Sequence, residues 1–84
     1  MNSIEWTTKA LRQARKLPPV EQGNIADAVE TLRNWPNVEQ VMALAGKSGY
    51  RLRVGRYRVL FTVHAGIPHI VRIKEVKKRD EHTY

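Results

Sequence analysis

GYRLRVGRYRVLFTV, residues 49–63, is the stretch that decides the fold. From Tyr50 to Val54 the chain alternates strictly, with Tyr50, Leu52 and Val54 apolar and Arg51 and Arg53 between them. Successive side chains of a strand point to opposite faces, so this pattern is a strand with one apolar face and one guanidinium face. Gly55-Arg56 is a two-residue turn signal. The return strand then lines Tyr57, Val59, Phe61 and Val63 along one face and Arg58, Leu60, Thr62 and His64 along the other. With Tyr57 and Val59 turned inward, Arg58 joins Arg51 and Arg53 on the outward face. Like charges held close together on a sheet repel, so three guanidiniums there do not serve stability. They suit an anion.

Working outward, Ala65-Gly66-Ile67-Pro68 is a second turn and residues 69–77 form a last strand, which completes an antiparallel meander. Upstream, Ile4-Glu5-Trp6 reads as a brief first strand. Ala10, Leu11, Ala14 and Leu17 then recur at helical spacing over residues 7–17, with Lys9, Arg12, Arg15 and Lys16 on the solvated remainder. Pro18-Pro19 ends that helix and suits the first turn of another, about residues 19–34, whose stripe is Ile25, Ala28, Val29 and Leu32. Trp35-Pro36 stops it. Residues 37–49 read as a connector anchored by Val38, Val41, Met42 and Leu44, with room for one helical turn. A helix hairpin is the available cover for one sheet face. The expectation is an α+β domain over residues 1–84, β-α-α-β-β-β, with the helix hairpin packed on a small antiparallel sheet.

Composition narrows the function classes. The 84 residues include no cysteine, so neither a disulfide framework nor a thiolate metal site is available. No stretch is apolar enough for a membrane span, and the opening MNSIEWTTKA lacks the layout of a signal peptide. A cytoplasmic protein without membrane contact is expected. The net charge of +7 is uneven. Residues 1–49 carry six Lys/Arg against five Asp/Glu, whereas residues 50–79 carry nine against Glu75 alone. Arg51, Arg53, Arg56, Arg58, Lys74, Lys77, Lys78 and Arg79 belong to that excess, which fits a polyanion such as nucleic acid. His64 and His69 flank a turn with no carboxylate spacing that suggests a metal, and no cofactor is indicated. Trp6 and Trp35 read as packing residues.

The order of elements, the hairpin GYRLRVGRYRVLFTV, the opening IEW, the helix break at Lys16 to Pro18 and the closing IKEVKKRDEHTY (residues 73–84) together resemble the RelE/ParE superfamily of toxin–antitoxin toxins. The resemblance spans essentially the whole chain and implies a toxin neutralised by a cognate antitoxin in a hetero-oligomeric complex. It implies one of two activities. The RelE branch cuts mRNA on the ribosome, whereas the ParE branch has the same fold and poisons DNA gyrase by binding. The RelE branch carries a basic pair on the first hairpin strand, matched by Arg51 and Arg53, and an Arg on the second, matched by Arg58. Its tail Arg and Tyr are matched by Arg79 and Tyr84. A related branch ends in adjacent His and Tyr, which His82 and Tyr84 approximate with one residue inserted. These matches favour the RelE branch.

Metal-free RNA cleavage turns the ribose 2′-OH against its own 3′-phosphate. It needs a base, cations around the phosphorane and an acid for the departing 5′-oxygen. Rigid, permanently charged guanidiniums suit the phosphorane, and Arg58 and Arg79 are assigned there. Tyr84 is assigned to stacking on a base, and His82 to proton transfer. Arg51 and Arg53 stand where the best-studied arrangement of the family has lysines. An arginine is a poor base, so they are read as phosphate holders together with Arg56, Lys74, Lys77 and Lys78. The base role then passes to His82, Glu81 or no strong base, with part of the catalysis left to the ribosome.

Overall fold

Thr7 opens the first helix with its hydroxyl, which accepts from the Ala10 amide at 3.1 Å and donates to the Ile73 carbonyl at 2.9 Å. One side chain thus caps a helix and pins it to the sheet. The computed structural model describes residues 2–46, 48–66 and 68–78. Its elements are β1 (Ser3–Trp6), α1 (Thr8–Arg15), α2 (Pro19–Glu30), a 3-10 turn (Thr31–Asn34), β2 (Val41–Ala43), β3 (Tyr50–Val54), β4 (Tyr57–His64) and β5 (Ile70–Lys78). Pro19 begins α2 where its missing N–H costs nothing. Gln22 Nε2 reaches back from α2 to the Leu17 carbonyl at 2.7 Å and the Arg15 carbonyl at 3.2 Å, satisfying groups at the end of α1.

The five strands form one sheet in the order β1-β5-β4-β3-β2. Strands β2 to β5 pair antiparallel, and β1 adds to the β5 edge in parallel. The α+β class and the helix pair over one sheet face agree with the pattern of the sequence, and the sheet is wider than that pattern indicates. Residues 37–49 include β2, not a helical turn. Gly46 at φ +69° and Gly49 at φ +114° turn the chain back, and Leu44 N–H donates to the Gly49 carbonyl at 3.1 Å. The expected second helix ends at Glu30 and tightens into the 3-10 turn before Trp35.

Ala10, Ile25, Val29 and Leu32 from the helical layer meet Leu52, Tyr57, Val59, Phe61, Val71, Ile73 and Val76 from the sheet, all buried. Each large apolar side chain among them contributes about 1.5–3 kcal/mol by leaving water. Leu11, expected in the α1 stripe, is exposed instead. Trp35 packs edge-on against Tyr50 and Phe61, with ring centroids 4.5 and 5.7 Å away. It is a core aromatic, as its pattern implies.

Strand β5 is not regular. Phe61 pairs with Ile73 and Leu60 with Glu75, which leaves Lys74 as the extra residue of a bulge. The apolar spacing explains it. Val71 and Ile73 are two apart, but Val76 follows Ile73 by three, so strict alternation would put Glu75 in the core. The bulge resets the phase, burying Val76 and turning Glu75 and Lys77 to the side of Leu60 and Arg58.

Candidate nucleic-acid interface

The β3–β4 hairpin brings its arginines together by register alone. Gly55 takes φ +57°, the first central position of a type II′ turn, where the missing Cβ removes the steric cost. That turn closes the hairpin at Val54–Tyr57, sets Arg53 directly opposite Arg58, and sets Arg51 opposite Leu60. Arg51, Arg53 and Arg58 lie on the sheet face away from the helices. Arg51, Arg53 and Arg58 line one shallow cavity of about 250 Å³ with Gln40, Val41, Met42 and Gly55. Arg51 Nη2 lies 3.4 Å from the Met42 sulfur, so the β2 edge forms one wall.

The charge on this face is divided. Near β1, Arg72 Nε donates to Glu5 Oε1 at 2.7 Å. Near the start of α1, Glu75 Oε1 lies 3.2 Å from Lys9 Nζ and 3.7 Å from Lys77 Nζ. Partial burial pushes the Glu75 carboxyl upward. The hydrogen bond from Lys9 and the charges of Lys77 and Lys9 outweigh that and hold it below the ordinary carboxylate range. Among the described residues, no carboxylate pairs with Arg51, Arg53, Arg56 or Arg58. Arg51, Arg53 and Arg58, which line the cavity, therefore carry charge that no described carboxylate offsets. A guanidinium fork matches two oxygens of a phosphate, so three forks around one opening have the chemistry to hold a polyanion.

The remaining residues singled out in the sequence divide by position. Lys77 stands opposite Arg58 on β5 and extends the cationic row. Lys78 pairs with Tyr57, which places it on the other side of the sheet, and Lys74 occupies the bulge. Arg56 projects from the exposed turn beside the cavity. Arg79, His82 and Tyr84 lie outside the described residues. His64 is exposed and its Nε2 lies 3.1 Å from Thr62 Oγ1. No helix among the described residues is long and apolar enough to cross a membrane.

Sequence reasoning missed Gln40, Val41 and Met42 as walls of the site. The only local signal was the short apolar run within residues 41–44, too brief to show a period. Their place follows from pairing with β3, a contact between segments about ten residues apart.

No protein-family model matches the chain, and no curated protein matches it in sequence. Solved structures do match. The toxin–antitoxin complex RelBE2 from Mycobacterium tuberculosis shares 25% identity with a TM-score of 0.77, over 92% of this chain and 96% of that one. The archaeal RelE–RelB complex from Pyrococcus horikoshii shares 20% identity with a TM-score of 0.78, over 95% of this chain and 97% of that one. The isolated E. coli RelE toxin shares 19% identity with a TM-score of 0.77, over 96% of this chain and 87% of that one. The fold is that of the RelE-like toxins.

Proposed function

We propose that this chain is the toxin of a type II toxin–antitoxin system, an endoribonuclease that cuts mRNA on the ribosome without a metal ion and is held inactive by a cognate antitoxin. The observation that carries the reading is the convergence of Arg51, Arg53 and Arg58 on one cavity, with no carboxylate partner among the described residues. The RelE-like fold and the RelB–RelE assemblies among its structural neighbours support the same reading.

In this mechanism Arg51 and Arg53 hold phosphates on either side of the cut, with Lys77 and Arg56 extending the track. The ribose 2′-oxygen forms a bond to phosphorus while the bond to the 5′-oxygen breaks, leaving a 2′,3′-cyclic phosphate and a free 5′-hydroxyl. Arg58 and Arg79 offset the charge that gathers on the phosphorane oxygens. His82 transfers the proton and Tyr84 stacks on a base of the splayed strand. Translation inhibition in the cytoplasm follows from the loss of intact message.

Mapping transcript 5′ ends after brief induction, with and without ongoing translation, tests this. New ends within codons are expected only while ribosomes translate, and Arg58→Ala with Arg79→Ala should abolish them. Growth arrest with a DNA-damage response and unchanged mRNA ends would instead establish a gyrase-directed toxin.

A further inference from the structure

Beside the guanidinium cavity lies a second cleft of about 420 Å³, between the end of α2 and residues 37–40. Two residues line both spaces, Gln40 and Arg53. They form the ridge between them and are tied by a 2.9 Å hydrogen bond from Arg53 N–H to the Gln40 carbonyl. Gln40 has φ +61°, a left-handed conformation that a residue with a Cβ adopts only against steric cost. Strain of this kind persists where the surrounding structure demands it, and it concentrates at ligand clamps. Here it turns the carbonyl toward β3 and holds Arg53 at the ridge.

The cleft is built in a way that suits a flat heterocycle. Leu52 and Ala28 supply apolar wall, while Asn34, Asn37 and Glu39 supply polar rim. Asn37 N–H donates to the Asn34 carbonyl at 2.8 Å, which folds the rim back on itself. Among the described residues, none of these three side chains is engaged in a hydrogen bond or an ion pair. Unengaged amides and a carboxylate beside an apolar wall, one residue from a phosphate-holding arginine, are the parts of a nucleotide subsite.

We propose that this cleft seats one nucleobase of single-stranded RNA whose phosphate lies on Arg53, and that Asn37 and Glu39 read its edge. The proposal rests on the RNA-cleaving reading above. An ionised carboxylate only accepts hydrogen bonds, so Glu39 favours bases that present an exocyclic amino group. Uracil offers carbonyl oxygens there and is disfavoured.

The full chain, isotopically labelled, is titrated with tetrauridylate and with tetranucleotides in which one internal uridine is replaced by adenosine, cytidine or guanosine. The amide signals of Asn37, Glu39 and Gln40 should shift together with those of Arg51, Arg53 and Arg58. At least one amino-bearing base should bind about fivefold or more tightly than uridine, and Glu39→Gln should reduce that ratio to about twofold or less. Shifts confined to the arginines, equal binding of all four oligonucleotides, or a preference untouched by Glu39→Gln and Asn37→Ala would each overturn the subsite. Transcript mapping separates this from the parent reading. Base-selective binding by a chain that makes no new mRNA ends sinks the nuclease and keeps the cleft. Cleavage whose base bias survives both substitutions keeps the nuclease and sinks the cleft.

Discussion

Arg53 and Arg58 stand directly across the hairpin from each other, a position where side-chain stems are about 4.5–5.5 Å apart at Cβ. Like charges so placed oppose folding, by something on the order of a few tenths of a kcal/mol to 1 kcal/mol. Removing one should therefore separate function from stability. Arg58→Thr, which keeps a residue that fits a strand, is expected to abolish the proposed mRNA cleavage while leaving stability unchanged or raised by up to roughly 0.5 kcal/mol in low salt. Urea denaturation at two ionic strengths checks this, because the gain should shrink as salt screens the pair. A clear loss of stability in low salt would mean that the Arg58 stem packs more than it repels. These arginines were legible in the sequence because a period of two assigns faces without any knowledge of the partner strand. Gln40 was not, since a left-handed residue in a connector leaves no periodic trace and acquires meaning only through its bond to Arg53.

At the scale of elements, β5 outruns its neighbour. Strand β1 pairs with it only as far as Ile73, so among the described residues the β5 edge from Lys74 onward has no strand beside it. Helix α1 covers that gap, and Gln13 Oε1 accepts from the Val76 amide at 2.7 Å. A partly buried N–H deprived of its acceptor costs about 1–3 kcal/mol. Gln13→Leu should destabilise the domain by about that amount and speed hydrogen exchange at Val76, whereas Gln13→Glu, which keeps an acceptor, should restore most of both. Equal behaviour of the two variants in thermal melts and exchange would show that the bond contributes nothing. The helices and strands β3, β4 and β5 could be read from their apolar periods. β2 could not, because three residues carry too little alternation to distinguish a strand from a connector. The parallel seat of β1 was equally hidden, since Ile4-Glu5-Trp6 says strand but does not say which neighbour it joins.

For the whole molecule, charge sets the response to acid. The chain carries +7 at neutral pH with only eight acidic residues to offset the rest, so protonating carboxylates adds to an existing excess. The fold favours the ionised form of Glu75, through Lys9 and Lys77. Its folded pKa lies below its unfolded value, so its contribution is present above the ordinary carboxylate pKa and is lost as pH falls through the lower folded value. Glu75→Gln should therefore lower stability at neutral pH and narrow the gap to the parent chain in strong acid. Melting temperatures measured from neutral pH down through the carboxylate range check the sign. A gap that widens on acidification would reverse the assignment.

Lys74 has no partner across the strand, whereas Val71, Ile73 and Val76 each have one. Removing any paired residue of β5 would carry every side chain between it and the bulge to the wrong face. Removing Lys74 would instead let Glu75 follow Ile73 in regular alternation, with Val76 still inside and Lys77 still across from Arg58. The strand thus contains a single expendable unit of length, and it lies between the part that builds the core and the part that completes the cationic row.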